Sequence, residues 1–159
     1  ANNAYPGISQ IIQEGSGPYA FLYSKRKNII EPAVDQLKKA EHISVYLKSD
    51  IPERFHFKNH HRIKDALIIA DEGWYIQNQA ISSSSTAGEY VPTGGTHGYD
   101  NQLKSMHALF IANGPAFKND IVTEPFENVN IYPMIAHILG IDPSQKIDGN
   151  LNNIKHLLK

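Results

Sequence analysis

The stretch PTGGTHGYDN, residues 92–101, sets one imidazole, His97, among three glycines, Gly94, Gly95 and Gly98, with Asp100 and Asn101 close behind. Glycine reaches backbone angles closed to other residues and lets a second group approach the main chain, so such a loop can hold a histidine out to a metal ion or a reacting group. Zinc takes three or four protein ligands, and this stretch supplies one. Asp100 and Asn101 could orient the ring through a hydrogen bond or simply close the turn at Gly98. From the residues alone, a ligand or catalytic role for His97 and a plain glycine turn both remain open.

A second group, His56, His60 and His61, forms H-x3-H-H, whose i, i+4 pair could share a metal on a helix. Pro52 and the alternation of Phe55 and Phe57 predict an extended or irregular, solvated segment there instead. His42, His107, His137 and His156 stand singly at element ends or in apolar stretches, where a hydrogen-bonded structural histidine is expected. The chain has no phosphate-binding P-loop, no G-x-S-x-G elbow, no H-E-x-x-H and no cysteine. A complete hydrolytic site therefore cannot be assembled from local motifs.

These residues must be positioned by a fold, and the composition suits one. At 159 residues, with 41% apolar and 19% charged side chains, the chain has the profile of a soluble globular protein and is long enough to bury roughly 70% of its unfolded surface. Net charge is −1, and the one basic cluster, Lys25-Arg26-Lys27, reads as a solvated turn; no extended nucleic-acid surface is expected. The aliphatic run Ala66–Ala70 falls far short of the roughly 20 residues that cross a bilayer, so no membrane span is expected in this segment. The start Ala-Asn-Asn-Ala-Tyr lacks an initiator Met, which leads to the expectation of a mature or excised piece.

Periodicity outlines the elements. PYAFLYS (18–24) reads as a strand, IIEPAVDQLKKAEH (29–42) as a helix with Pro32 in its first turn, and ISVYLKS (43–49) as a strand apolar at Ile43, Val45 and Leu47. ALIIAD (66–71) and HALFIAN (107–113) both read as strands covered on two faces, and WYIQ (74–77) as a short one. Residues 78–96, with the Ser82–Ser85 tract, read as a surface loop. NVNIYPMIAHILG (128–140) predicts a helix with Asn130 as N-cap and Gly140 just past its end, and NNIKHLLK a short closing helix. The sum is an α/β domain, residues 1–159, with no internal boundary.

The order VYLKSDIPERFHFKNHHRI, ADEGWYI, GGTHGYDNQLKSMHALFIANGPAFK, EPFENVNIYPMIAHILGI closely resembles the C-terminal part of the catalytic domain of nucleotide pyrophosphatase/phosphodiesterases, in the alkaline phosphatase superfamily. The resemblance runs from about residue 15 to residue 159, and H-G-Y-D-N followed by G-P-A-F-K carries most of its specificity. It implies an α/β sandwich around a mixed β-sheet and two zinc ions at one end. It also implies a threonine nucleophile, and hydrolysis of phosphodiester and pyrophosphate bonds that releases nucleoside 5'-monophosphates. Of the family's metal ligands, only the histidine of the H-G-Y motif maps here, at His97. No catalytic residue is expected in this segment and no substrate-binding residue is assigned; Arg54 and Tyr99 fit family patterns and are read as structural. The expected partners are the N-terminal segment of the same catalytic domain and a nucleotide or other phosphodiester. The resemblance further implies an extracellular, periplasmic or membrane-anchored ectodomain. Alternatives are an inactive binding or interaction module, and a member acting on lipid or choline phosphodiesters.

Overall fold

A computed structural model describes residues 10–77, 93–143 and 146–159. The chain forms two compact units, residues 1–107 and 108–159. The expected loop 78–96 lies, up to residue 92, outside the described residues.

The first unit is built on a sheet of four strands in the order β1-β2-β4-β3: β1 (Ile12–Glu14), β2 (Tyr19–Tyr23), β3 (Ile43–Leu47) and β4 (Ala66–Ala70). Every neighbouring pair is antiparallel. Because β2 and β3 both run against β4, they run the same way as each other, with helix α1 (Ile30–Leu37) linking them. β4 thus sits inside a split β-α-β unit. The expected strands at 18–24, 43–49 and 66–71 and the helix at 29–42 are present with shorter ends; past Leu37 the chain closes in tighter turns, the Lys39 amide donating to the Gln36 carbonyl and the Ala40 amide to the Leu37 carbonyl.

The period of two along each strand decides what lies on each face. Ala66 and Ile68 of β4, Leu22 of β2 and Val45 of β3 point to one side, where Ile30 and Val34 of α1 cover them. Ile30, Val34 and Leu37 follow the i, i+4, i+7 spacing of one helix stripe. Leu67 and Ile69 face the other way and pack with Ile51, Phe21, Tyr46, Phe55 and Ile63. Both faces of β4 are covered, so all five of its residues are buried, which explains the unbroken apolar run Ala-Leu-Ile-Ile-Ala. Trp74–Gln77 does not form the short strand expected; only Ile76 pairs, with Gly17, in an isolated bridge whose two N–H···O bonds are both 2.8 Å.

In the second unit, α2 (Ile131–Leu139) begins two residues before Pro133 and ends at Gly140, whose φ of +66° is the left-handed stop that glycine allows. Asn130 does not act as the expected side-chain cap. It is buried, and its Oδ1 accepts hydrogen bonds from the Asn150 amide (2.8 Å) and from Asn153 Nδ2 (3.3 Å), so its side chain ties the helix start to the C-terminal turns. The expected closing helix is two 3-10 turns, Leu151–Asn153 and Lys155–Leu157. Met134, Ile154, Leu157 and Leu158 form the core of this unit.

HALFIAN departs from its reading as a buried strand. It makes no strand pairing among the described residues, and although Phe110 packs on that core, Leu109 and Ile111 are 85% and 79% exposed. The alternation is that of a strand, with one face covered and, among the described residues, neither a neighbouring strand nor a layer over the other.

Candidate functional site

The His97 loop is held from two sides by elements of the first unit. Past β3, Pro52 opens a 3-10 turn, Glu53–Phe55, which His56 closes with φ of +49°. Ile51 is 1% exposed and Phe55 packs beside it under β4, its ring edge-on to Tyr46 at 6.4 Å. Two apolar anchors therefore fix the short turn between them, and the side chain of Arg54 leaves it at a set angle, with its guanidinium 4.2 Å from the centre of the Phe55 ring.

That guanidinium meets the residues just after His97. Nη1 and Nη2 donate to the two carboxylate oxygens of Asp100 at 2.6 and 2.5 Å, and Nη1 also donates to Asn101 Oδ1 at 2.6 Å. Asn101 Nδ2 returns a hydrogen bond to the Arg54 carbonyl at 3.4 Å. Asp100 Oδ1 accepts in addition from the Gln102 amide at 2.9 Å. Hydrogen bonding from Arg54 is the main reason that the Asp100 carboxyl titrates below its usual range, with partial burial opposing it and the Gln102 amide assisting; the same pair raises Arg54. Of the two sequence-based readings of Asp100, orienting the ring or closing the turn, the structure supplies a third: Asp100 anchors the loop to Arg54.

The other side is held by the segment that leaves β4. Gly73 turns the chain with φ of +86°, and Trp74 stacks on His42 at 3.8 Å with their planes 8° apart. The Tyr99 hydroxyl donates to the Trp74 carbonyl at 2.9 Å. Gly98 has φ of +110°, and a Cβ added there would lie 3.2 Å from the Tyr19 ring. Tyr19, Gly98 and Tyr99 thus press the loop onto the end of the sheet.

His97 itself is exposed and lines a cleft of about 420 Å3 together with Thr96, Tyr75, Tyr19 and the β1–β2 turn. It is neither in an apolar core nor turned away from the sheet end. Among the described residues, no three His, Cys, Asp or Glu side chains come together in a group that could hold a metal ion. His56, His60 and His61 do not share a helix face: His56 ends a 3-10 turn, and the His60 and His61 rings lie tilted, 4.2 Å apart. Of the four single histidines, His156 shares a 3.3 Å hydrogen bond with Thr123, His42 lies 3.5 Å from Asp71, and His107 and His137 are exposed.

Arg54 is the residue whose part the sequence reading missed. Its partner lies 46 residues away, beyond any local pattern. The available signal was a carboxylate directly behind His-Gly-Tyr, which calls for a counter-charge when the loop is packed down, and a chain with three arginines to supply it.

Comparison with known proteins places this arrangement. The bis(5'-adenosyl)-triphosphatase enpp4 of Xenopus laevis is 45% identical over 155 residues, covering 96% of this chain and 31% of that protein. The structure of human ectonucleotide pyrophosphatase/phosphodiesterase 5 matches with a TM-score of 0.75 at 30% identity, over 96% of this chain and 38% of that one. Its murine counterpart, solved in an inactive form in complex with AMP, gives 0.74 at 29% identity, again over 96% and 38%. The chain spans about a third of the length of these relatives. Residues 3–100, well over half of the chain and inclusive of the anchored His97 loop, match the family described as Type I phosphodiesterase / nucleotide pyrophosphatase, and it is to that family that the chain belongs.

Proposed function

We propose that this chain is the C-terminal part of the catalytic domain of a zinc-dependent nucleotide pyrophosphatase/phosphodiesterase, a hydrolase of phosphodiester and pyrophosphate bonds that releases nucleoside 5'-monophosphates. The observation that carries the reading is the presentation of His97: an exposed imidazole at the rim of a cleft, on a loop whose following residues are bolted down. The donor set suits a shared metal site. Zinc needs three or four protein ligands, His97 offers one nitrogen, and the others would come from the rest of the domain. When bound, the metal would supply Lewis acidity toward a phosphoryl oxygen. The nucleophile and the residues that grip substrate likewise belong to sequence outside this chain. The relatives' names, which speak of ectonucleotide phosphodiesterases, support an extracellular site of action.

In the full-length protein, His97→Ala should lower hydrolysis of the p-nitrophenyl ester of thymidine monophosphate by at least about 100-fold and weaken zinc retention about 10- to 100-fold, the scale expected when a metal site is impaired. Unchanged zinc content and unchanged hydrolysis in that variant would overturn the assignment. Zinc binding with no hydrolysis of any phosphodiester by the wild-type protein would point to an inactive binding module.

A further inference from the structure

Within that reading, we infer that Arg54 is a positioning residue for His97, setting where the imidazole stands by clamping the loop behind it. Three features separate this pair from an ordinary surface ion pair. First, Arg54 engages three acceptor atoms, two on Asp100 and one on Asn101, and receives a hydrogen bond at its own carbonyl, so both loops are held in register. Secondly, both side chains are partly shielded, at 29% and 32% exposure, where water competes less for the charges than at a fully exposed pair. Thirdly, the turn that bears Arg54 is itself immobilised by Ile51 and Phe55 under the central strand, so the clamp transmits the position of the core and not of a free side chain.

The need for such a clamp follows from the loop's own composition. Gly94, with φ of +97°, and Gly95 both precede His97, so the backbone on its N-terminal side carries little intrinsic stiffness. The ring's place must then be fixed from its C-terminal side. There the Tyr99 hydroxyl, on the Trp74 carbonyl, supplies a single tether, while Arg54 supplies the multiple one. Arg54 is not among the residues that line the cleft beside His97, and its side-chain hydrogen bonds go to the loop, to Asp100 and Asn101. Lysine cannot replace it, because a point charge lacks the planar fork that takes both carboxylate oxygens at once.

The test uses full-length protein and reads the loop directly. Arg54→Lys and Asp100→Asn should each speed amide hydrogen exchange across residues 97–102 by about tenfold or more, while the amides of Ala66–Ala70 keep their wild-type protection. The Zn2+ dissociation constant, measured by chelator competition, should rise about 10-fold. kcat should fall by up to about 100-fold, with KM within about twofold, because misplacing a ligand acts on the reacting geometry and not on substrate grip. Loop exchange at the wild-type rate in both variants would overturn the inference. So would faster exchange that extends equally into Ala66–Ala70, since the pair would then serve general stability. Zn2+ binding unaffected by His97→Ala would remove the metal reading of His97 and leave the positioning claim to be decided by the exchange data.

Discussion

At His97 the chemistry is one imidazole, and most of what makes it usable resides in its neighbours. Gly98 must keep φ near +110°, and a Cβ there would press on the Tyr19 ring at 3.2 Å. Gly98→Ala should cost about 2 kcal/mol of local stability through the backbone angle, and Tyr19→Ala in the same molecule should relieve the contact without restoring the angle. Proteolytic susceptibility of the loop in the single and double variants measures both parts. The Arg54–Asp100 pair also makes a pH prediction. Asp100 titrates below its ordinary value of about 3.9 because Arg54 hydrogen-bonds it, so its contribution is fully present above that value and lost as pH falls through the lowered one. Thermal unfolding followed from pH 7 downward should show the destabilisation by Asp100→Asn shrinking below about pH 4, where the carboxylate of the unfolded chain begins to take up its proton while that of the folded chain stays ionised. A constant difference down to pH 2 would contradict the assignment.

Among the elements, β4 bears most of the packing: all five of its residues are buried, and four of them contribute to two separate apolar clusters, Ala66 and Ile68 on one face of the sheet and Leu67 and Ile69 on the other. Ile68→Ala should cost about 3 kcal/mol, with exchange accelerating in β2 and β3 together, since both neighbours depend on that strand. β4 was legible in the sequence because a short aliphatic run has few other uses, and α1 because Ile30, Val34 and Leu37 repeat at helical spacing. The antiparallel insertion of β4 between β2 and β3 was not legible, because strand order is a long-range choice that no local pattern encodes. At the site, His97 was readable from its glycines, whereas the partnership of Arg54 with Asp100 was not, because it joins turns 46 residues apart. HALFIAN misled for a physical reason. Its composition reports the cover that its apolar side chains require, and among the described residues that cover is incomplete.

At the scale of the whole molecule, the second unit keeps much apolar surface in water. Leu109, Ile111 and Val122 are among its most exposed side chains, and α2 is apolar nearly all round, burying Pro133, Met134 and Ala136 while Ile135, Ile138 and Leu139 remain exposed. Isolated surfaces of this kind mark contacts. Residues 1–159 produced alone should therefore self-associate in a light-scattering titration, and charge substitutions at Leu109 and Ile111 should suppress it; a monodisperse monomer at high concentration would show that the surface needs no cover. The central place of β4 bears on biosynthesis too. The strand that joins β2 to β3 is the last of the four to leave the ribosome, so a nascent chain that stops short of Ala66 has the β1–β2 hairpin and α1 but no sheet to lay the helix on. Until residue 70 is clear of the exit tunnel, the apolar stripe of α1 and the inner face of β3 are unsheltered, and a chaperone that acts on this protein during synthesis would find its binding window there.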